Sequence, residues 1–186
     1  MRLFTALWPS DEAVRHLSEA ISALDRARVT EVTAGVRKFR FTPAERWHLT
    51  LRFHGDDADP QRVADRLDRR MAHITAAPPA LRLTGSGTFR GVLWTGVEPA
   101  TESDRLALRE LVRAAGGDPH GFRAHLTIAR WASGRADRRS MPGLLAGYTG
   151  PWWTAGELAV MRSDQGEGGP VYRAVHRVPV TRAASG

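Results

Sequence analysis

Apolar positions along this 186-residue chain change their spacing several times, and each change marks an element. Residues 2–8 form a short strand-like run closed by Pro9. Ser10, Asp11 and Glu12 then make a helix start, a capping hydroxyl followed by acids suited to the positive helix end. From Asp11 to about Arg28, Val14, Leu17, Ile21 and Leu24 recur every three or four residues, which predicts an amphipathic helix. Residues 29–46 carry Gly35, Pro43 and the basic-aromatic patch Arg37-Lys38-Phe39-Arg40-Phe41, a pattern for a long loop or a short strand. A strand is predicted from Trp47 to His54, and a second helix from Pro60 to about Ile74 with Val63, Leu67 and Met71 on its buried side. Leu81-Arg82-Leu83-Thr84 is strand-like. Beyond Gly85-Ser86-Gly87, strands at about 88–90 and 92–97 are parted by Gly91. A third helix spans about 101–115 and stops at Gly116-Gly117, ahead of a strand from Phe122 to Trp131. A short helix between Arg138 and Tyr148 is weakened by Pro142 and Gly143. Strands at about 153–162 and 171–179 flank a glycine-rich hairpin or mobile flap, and 182–186 read as a frayed tail.

The same order of elements occurs twice, over residues 2–90 and again over 92–179. Each copy carries one motif, His48-Leu49-Thr50-Leu51 and His125-Leu126-Thr127-Ile128, 77 positions apart. From this composition, such a four-residue pattern arises by accident about one per cent of the time, and twice far less often. On a strand, side chains alternate between faces, so His48 and Thr50 point one way and Leu49 and Leu51 the other. The same holds for His125 and Thr127 against Leu126 and Ile128. We therefore expect an α+β, bilobal fold in a single domain. Two pseudo-twofold-related lobes would each carry an antiparallel sheet and flanking helices, with the active-site cleft between them.

Two imidazoles around one phosphate form a complementary pair, one neutral and accepting a proton, one charged and donating. That suits in-line displacement at phosphorus. Thr50 and Thr127 can donate to non-bridging oxygens, where negative charge develops. Arg52 is in phase with His48 and Thr50 and is a candidate phosphate clamp. Arg130 has the same chemistry but stands on the opposite nominal face, so it joins the site only if a bulge or bend turns it. No third or fourth ligand accompanies either histidine, which disfavours a metal site. The chain has no cysteine, which excludes disulfides and thiolate chemistry. No apolar run is long enough to cross a bilayer and no export sequence is evident, so no membrane association and a cytoplasmic location are expected. The net charge of +7 comes almost wholly from arginine, Lys38 being the sole lysine, and favours polyanionic partners.

Together the motifs resemble those of the two-histidine phosphoesterase superfamily, and within it the LigT-like RNA 2′,3′-cyclic phosphodiesterases of the 2′-5′ RNA ligase family. Arg2-Leu3-Phe4-Thr5-Ala6 is similar to the family's opening strand, and Trp47–Gly55 and Phe122–Arg130 to its two motif blocks. Leu158–Ser163 with Gly168–Tyr172 is similar to its terminal hairpin. Ala124 and Trp8 depart from the pattern, standing where the family usually has proline and an acidic residue. The resemblance implies hydrolysis of an RNA 2′,3′-cyclic phosphate end to a 2′-phosphate without cofactor or metal, and reverse 2′-5′ ligation by the same site. By it His48 is the general acid, His125 the general base, and Thr50, Thr127 and Arg130 hold the phosphate. Phe4, with Trp8 and Phe39, is a candidate for stacking on a base. The partner implied is an RNA or oligonucleotide with such an end, and no obligate protein partner is inferred. Two other readings stay open: the same chemistry on a small cyclic nucleotide or a 2′-5′ oligonucleotide, or a non-catalytic RNA-binding module.

Overall fold

The computed structural model describes residues 1–89, 91–137 and 139–181. The expected tail at 182–186 lies outside the described residues, as does Arg138 at the start of the expected short helix. The first strand, β1 (Arg2–Leu7), leads into α1 (Asp11–Ser22), whose first turn is capped by the Ser10 hydroxyl accepting from the Ala13 amide at 3.2 Å. The predicted helix does not run on to Arg28. Its apolar stripe ends at Leu24, and Asp25, in extended conformation, accepts from the Ala27 amide and starts α2 (Arg26–Thr33). The first five residues of the expected loop, 29–33, are therefore helix. The rest holds two-residue strands β2 (Val36–Arg37) and β3 (Arg40–Phe41), then a helical turn at Ala44–Arg46.

The first motif opens β4 (Leu49–Gly55), and α3 (Pro60–Met71) follows behind an Asp59 cap. The expected strands at 81–84 and 88–90 prove to be one strand, β5 (Ala80–Phe89), which absorbs Gly85 and Ser86 as an irregularity in register, with Arg90 outside the described residues. Next come β6 (Val92–Pro99), α4 (Glu102–Ala114) and the second motif strand β7 (His125–Arg130). After β8 (Ser133–Gly134), the helical character expected before Tyr148 shrinks to one turn at Pro142–Leu144. The chain finishes with β9 (Thr149–Thr154), β10 (Glu157–Gly166) and β11 (Gly169–Pro179), the last two joined as a tight hairpin.

Eight strands form one antiparallel sheet in the order β11-β10-β1-β4-β7-β6-β5-β9, with β3 also paired to β7. Its thinnest seam lies at the centre, where β4 and β7 share a single residue pair, Leu49 with Leu126. This seam divides the α+β fold into two lobes. Each has a strand–helix–motif-strand unit at its heart, β1 to β4 in one and β6 to β7 in the other. The lobes are not the halves of the sequence, however. The strand β5, from the copy expected over 2–90, pairs with β6 and β9, while the β10–β11 hairpin returns to β1. The helices and one continuous core, including Leu17, Leu49, Leu67, Leu111, Leu126 and Ile128, cover one face of the sheet. The opposite face is the cleft, with its own small cluster of Phe4, Ala6, Ala159 and Met161.

Candidate active site

At the seam, Leu49 and Leu126 are buried, 2% and 0% exposed, and anchor both motif strands to the core. Antiparallel pairing about them sets His48 beside Thr127 and Thr50 beside His125 on the cleft face. Both rings are fixed by the same device. His48 Nδ1–H donates to the Arg46 carbonyl and His125 Nδ1–H to the Arg123 carbonyl, each at 2.7 Å. A carbonyl only accepts, so Nδ1 carries the proton in both rings and Nε2 is left for chemistry.

Each motif strand also carries an extra residue right after its threonine. Thr5 pairs with Arg52 and Ala6 with Thr50, leaving Leu51 unpaired; Leu93 pairs with Ala129 and Trp94 with Thr127, leaving Ile128 unpaired. Such bulges repeat one direction twice and reverse the alternation beyond them. Ile128 and Ala129 are both fully buried, and Arg130 emerges on the cleft face, where its charge acts on His48. The bend that turns Arg130 to this face is therefore the bulge at Ile128. The mirror consequence overturns the expectation for Arg52. The bulge at Leu51 turns it to the helix-covered face beside Thr5 and His54, away from His48 and Thr50. In its stead Phe53 reaches the cleft face, 61% exposed and 6.1 Å from Phe4.

The expectation for Phe4 is also corrected. It is 2% exposed and stacks on the His48 ring, centroids 4.9 Å apart at 27°, so it supports the imidazole and has no free face for a base. Trp8, half-buried, lies 5.4 Å from the same ring, and Tyr172 of β11 meets it edge-on at 5.2 Å. Phe39 packs on Phe41 instead. Burial in this aromatic box lowers the His48 pKa to about 4. The positive charges of Arg130 and then His125 push the same way, against the pull of the Arg46 carbonyl. His125 has more open company, Phe89 edge-on at 5.1 Å and Trp94 at 6.1 Å, with Phe89 itself 44% exposed.

Three residues without a predicted role belong to this site. Arg46 gives His48 its carbonyl, and its guanidinium grips the Gly168 carbonyl at the β10–β11 turn with two 3.2 Å bonds. Tyr172 walls the His48 ring, and Trp94 stands across from Thr127. The sequence did hold one pointer: an arginine lies two places before each histidine, at Arg46 and Arg123. Two imidazole Nε2 atoms, two hydroxyls and one guanidinium thus share one face at one seam. That set can bind a phosphate and move protons on and off its oxygens.

Residues 9–167 match the family model described as the 2′-5′ RNA ligase superfamily, so the chain belongs to that superfamily, the two-histidine, LigT-like family. Among solved structures, TT0787 of Thermus thermophilus superposes with a TM-score of 0.68 at 28% identity, covering 100% of both chains. Escherichia coli LigT complexed with ATP gives 0.68 at 20% identity over 97% of this chain and 98% of that one. LigT complexed with 3′-AMP gives 0.66 at 18% over the same shares. No match is found among curated proteins. Among the described residues, no helix is long and apolar enough to cross a membrane.

Proposed function

We propose that this protein hydrolyses 2′,3′-cyclic phosphate ends of RNA to 2′-phosphates by general acid–base catalysis, with His48 and His125 as the proton-transferring pair. The observation that carries the proposal is the twofold repetition of one device at one seam: a ring pinned through Nδ1 to the carbonyl two residues back, beside the other motif's threonine. Binding alone has no need of two titratable rings held in the same tautomer. In the reaction, Nε2 of the base takes a proton from water as its oxygen attacks phosphorus. The P–O3′ bond breaks, and Nε2 of the acid protonates the leaving O3′. Thr50, Thr127 and Arg130 hold the non-bridging oxygens as charge builds on them. If a 5′-hydroxyl replaces water, the same steps join a 2′-5′ linkage. Water at about 55 M favours hydrolysis over a scarce RNA end.

The family resemblance makes His48 the acid, yet burial keeps that ring neutral at neutral pH in the free protein. The two agree if the phosphate brings the proton's counter-charge: an anion beside His48 raises its pKa and reverses the effect of Arg130. The test is incubation with 2′,3′-cyclic AMP in excess chelator, with 31P NMR locating the phosphate. 2′-AMP is expected. A 3′-phosphate reverses the direction of ring opening, and tight RNA binding without turnover leaves a binding module.

A further inference from the structure

The face of β4 that receives Arg52 opens onto a second cavity of about 360 Å³, on the far side of the sheet from the histidine cleft. Thr5, Arg52 and His54 of the sheet line it on one side, and α3 turns Arg62, Arg66 and Arg70 into it on the other. Several observations set these arginines apart from an ordinary solvated face. Those on α3 recur every four residues, so their charges stack along one flank of the helix and oppose it. Arg70 is engaged, donating to the Ala114 carbonyl at 3.3 Å. Among the described residues, the guanidinium groups of Arg52, Arg62 and Arg66 pair with no carboxylate. The aspartates at the rim are Asp57 and Asp59, and Asp59 is occupied in capping α3. Four arginines against two aspartates leave a surplus of two positive charges inside one cavity.

The cavity has a built floor. Thr5 is wholly buried, and its hydroxyl shares a 2.8 Å hydrogen bond with His54 Nε2. Burial first, then the charges of Arg52, Arg66 and Arg70, hold the His54 pKa below its ordinary value, so the field of these arginines is felt at the floor. No phenylalanine, tyrosine or tryptophan lines the space, which leaves a base without a stacking platform.

We propose that this cavity is a second anion site, separate from the cleft, which takes the dianion of a phosphomonoester. A surplus of two positive charges matches that dianion, and guanidinium forks suit its oxygens. Free phosphate and the terminal phosphate of a nucleotide present the same group. The site does not depend on what reaction the cleft performs.

The ring of His54 is the reporter. Its NMR resonances, assigned with His54→Gln, are followed while inorganic phosphate, 5′-AMP or chloride at equal ionic strength is added to the full chain, and again in His125→Ala to separate cleft binding. Phosphate is expected to shift them saturably in both proteins and to raise the His54 titration midpoint. Arg62→Gln/Arg66→Gln should weaken this binding about tenfold or more. Tighter binding of 5′-AMP than of phosphate makes a nucleotide the ligand; equal binding makes the phosphate group sufficient. Chloride shifts equal to those of phosphate, no saturation, or unchanged affinity in the arginine variant overturn the proposal. Should the double variant not fold, Arg62→Gln alone, on the exposed first turn of α3, supplies the same comparison.

Discussion

The two halves of the cleft share a backbone and differ in nearly everything placed on it. Both motif strands have a buried leucine at the seam, a ring tied to a carbonyl two residues back, and an extra residue after the threonine. On that common frame, Phe4, Trp8 and Tyr172 crowd the half-buried His48 ring, whereas His125 has exposed Phe89 beside it. Five residues after His48 comes Phe53, and five after His125 comes Arg130. Duplicated strands thus fix where two imidazoles stand, while unduplicated side chains set the surroundings that lower the His48 pKa. Geometry is symmetric here and electrostatics is not.

If both halves are needed, His48→Ala and His125→Ala should each lower kcat on a 2′,3′-cyclic nucleotide by about 10²-fold or more. Retained turnover in one would make that half a bystander. The next effect tests the electrostatic difference. Because the His48 pKa is lower when folded than the ordinary 6.5, the unfolded chain binds more protons between pH 6.5 and about 4. Stability should therefore fall as pH drops through that window and level off below it, by roughly 2–3 kcal/mol at most. His54 is shifted in the same direction and adds to the slope. Urea unfolding at pH 7, 5.5 and 4 measures the fall, and His48→Gln should flatten much of it.

Third, the opposite throw of the two bulges can be read kinetically. Arg130→Gln should lower kcat/KM about tenfold, and Arg52→Gln should leave it within about twofold. The reverse ranking would place the clamp in the wrong lobe. The smallest effect concerns the aromatic box. The acidic limb of kcat/KM should lie near pH 4, and Trp8→Ala, by admitting water to His48, should move it up by about one unit. A limb that stays put would mean that burial by Trp8 is not what holds the ring neutral.

Much of this site is legible in the sequence because its parts lie within one strand each. His-Leu-Thr-aliphatic specifies which side chains share a face over three residues, and the aliphatic neighbours specify which face is buried. That local rule fails at the fourth residue. Neither Leu51 nor Ile128 announces a bulge, so Arg52 and Arg130 exchange faces against simple alternation. Long-range partners were also hidden. Phe4 has the composition of a stacking residue, but that His48 occupies its face follows only from the pairing of β1 with β4. Asp25, by contrast, was readable: a good capping residue one place beyond the last apolar position of the stripe. The swap of β5 and the terminal hairpin between lobes depends on long-range pairings, β5 with β9 and β1 with β10, which no local pattern encodes.

That swap has a consequence for the order in which the molecule can be assembled during synthesis. The strand bearing His48 is made early, yet the edge that encloses its ring, Tyr172 on β11, is translated more than 110 residues later. The lobe holding His125 draws β5, β6, β7 and β9 from residues 80–154, with β3 added from earlier in the chain, and can close first. A nascent chain stopped before residue 157 would own both imidazoles but only one finished wall.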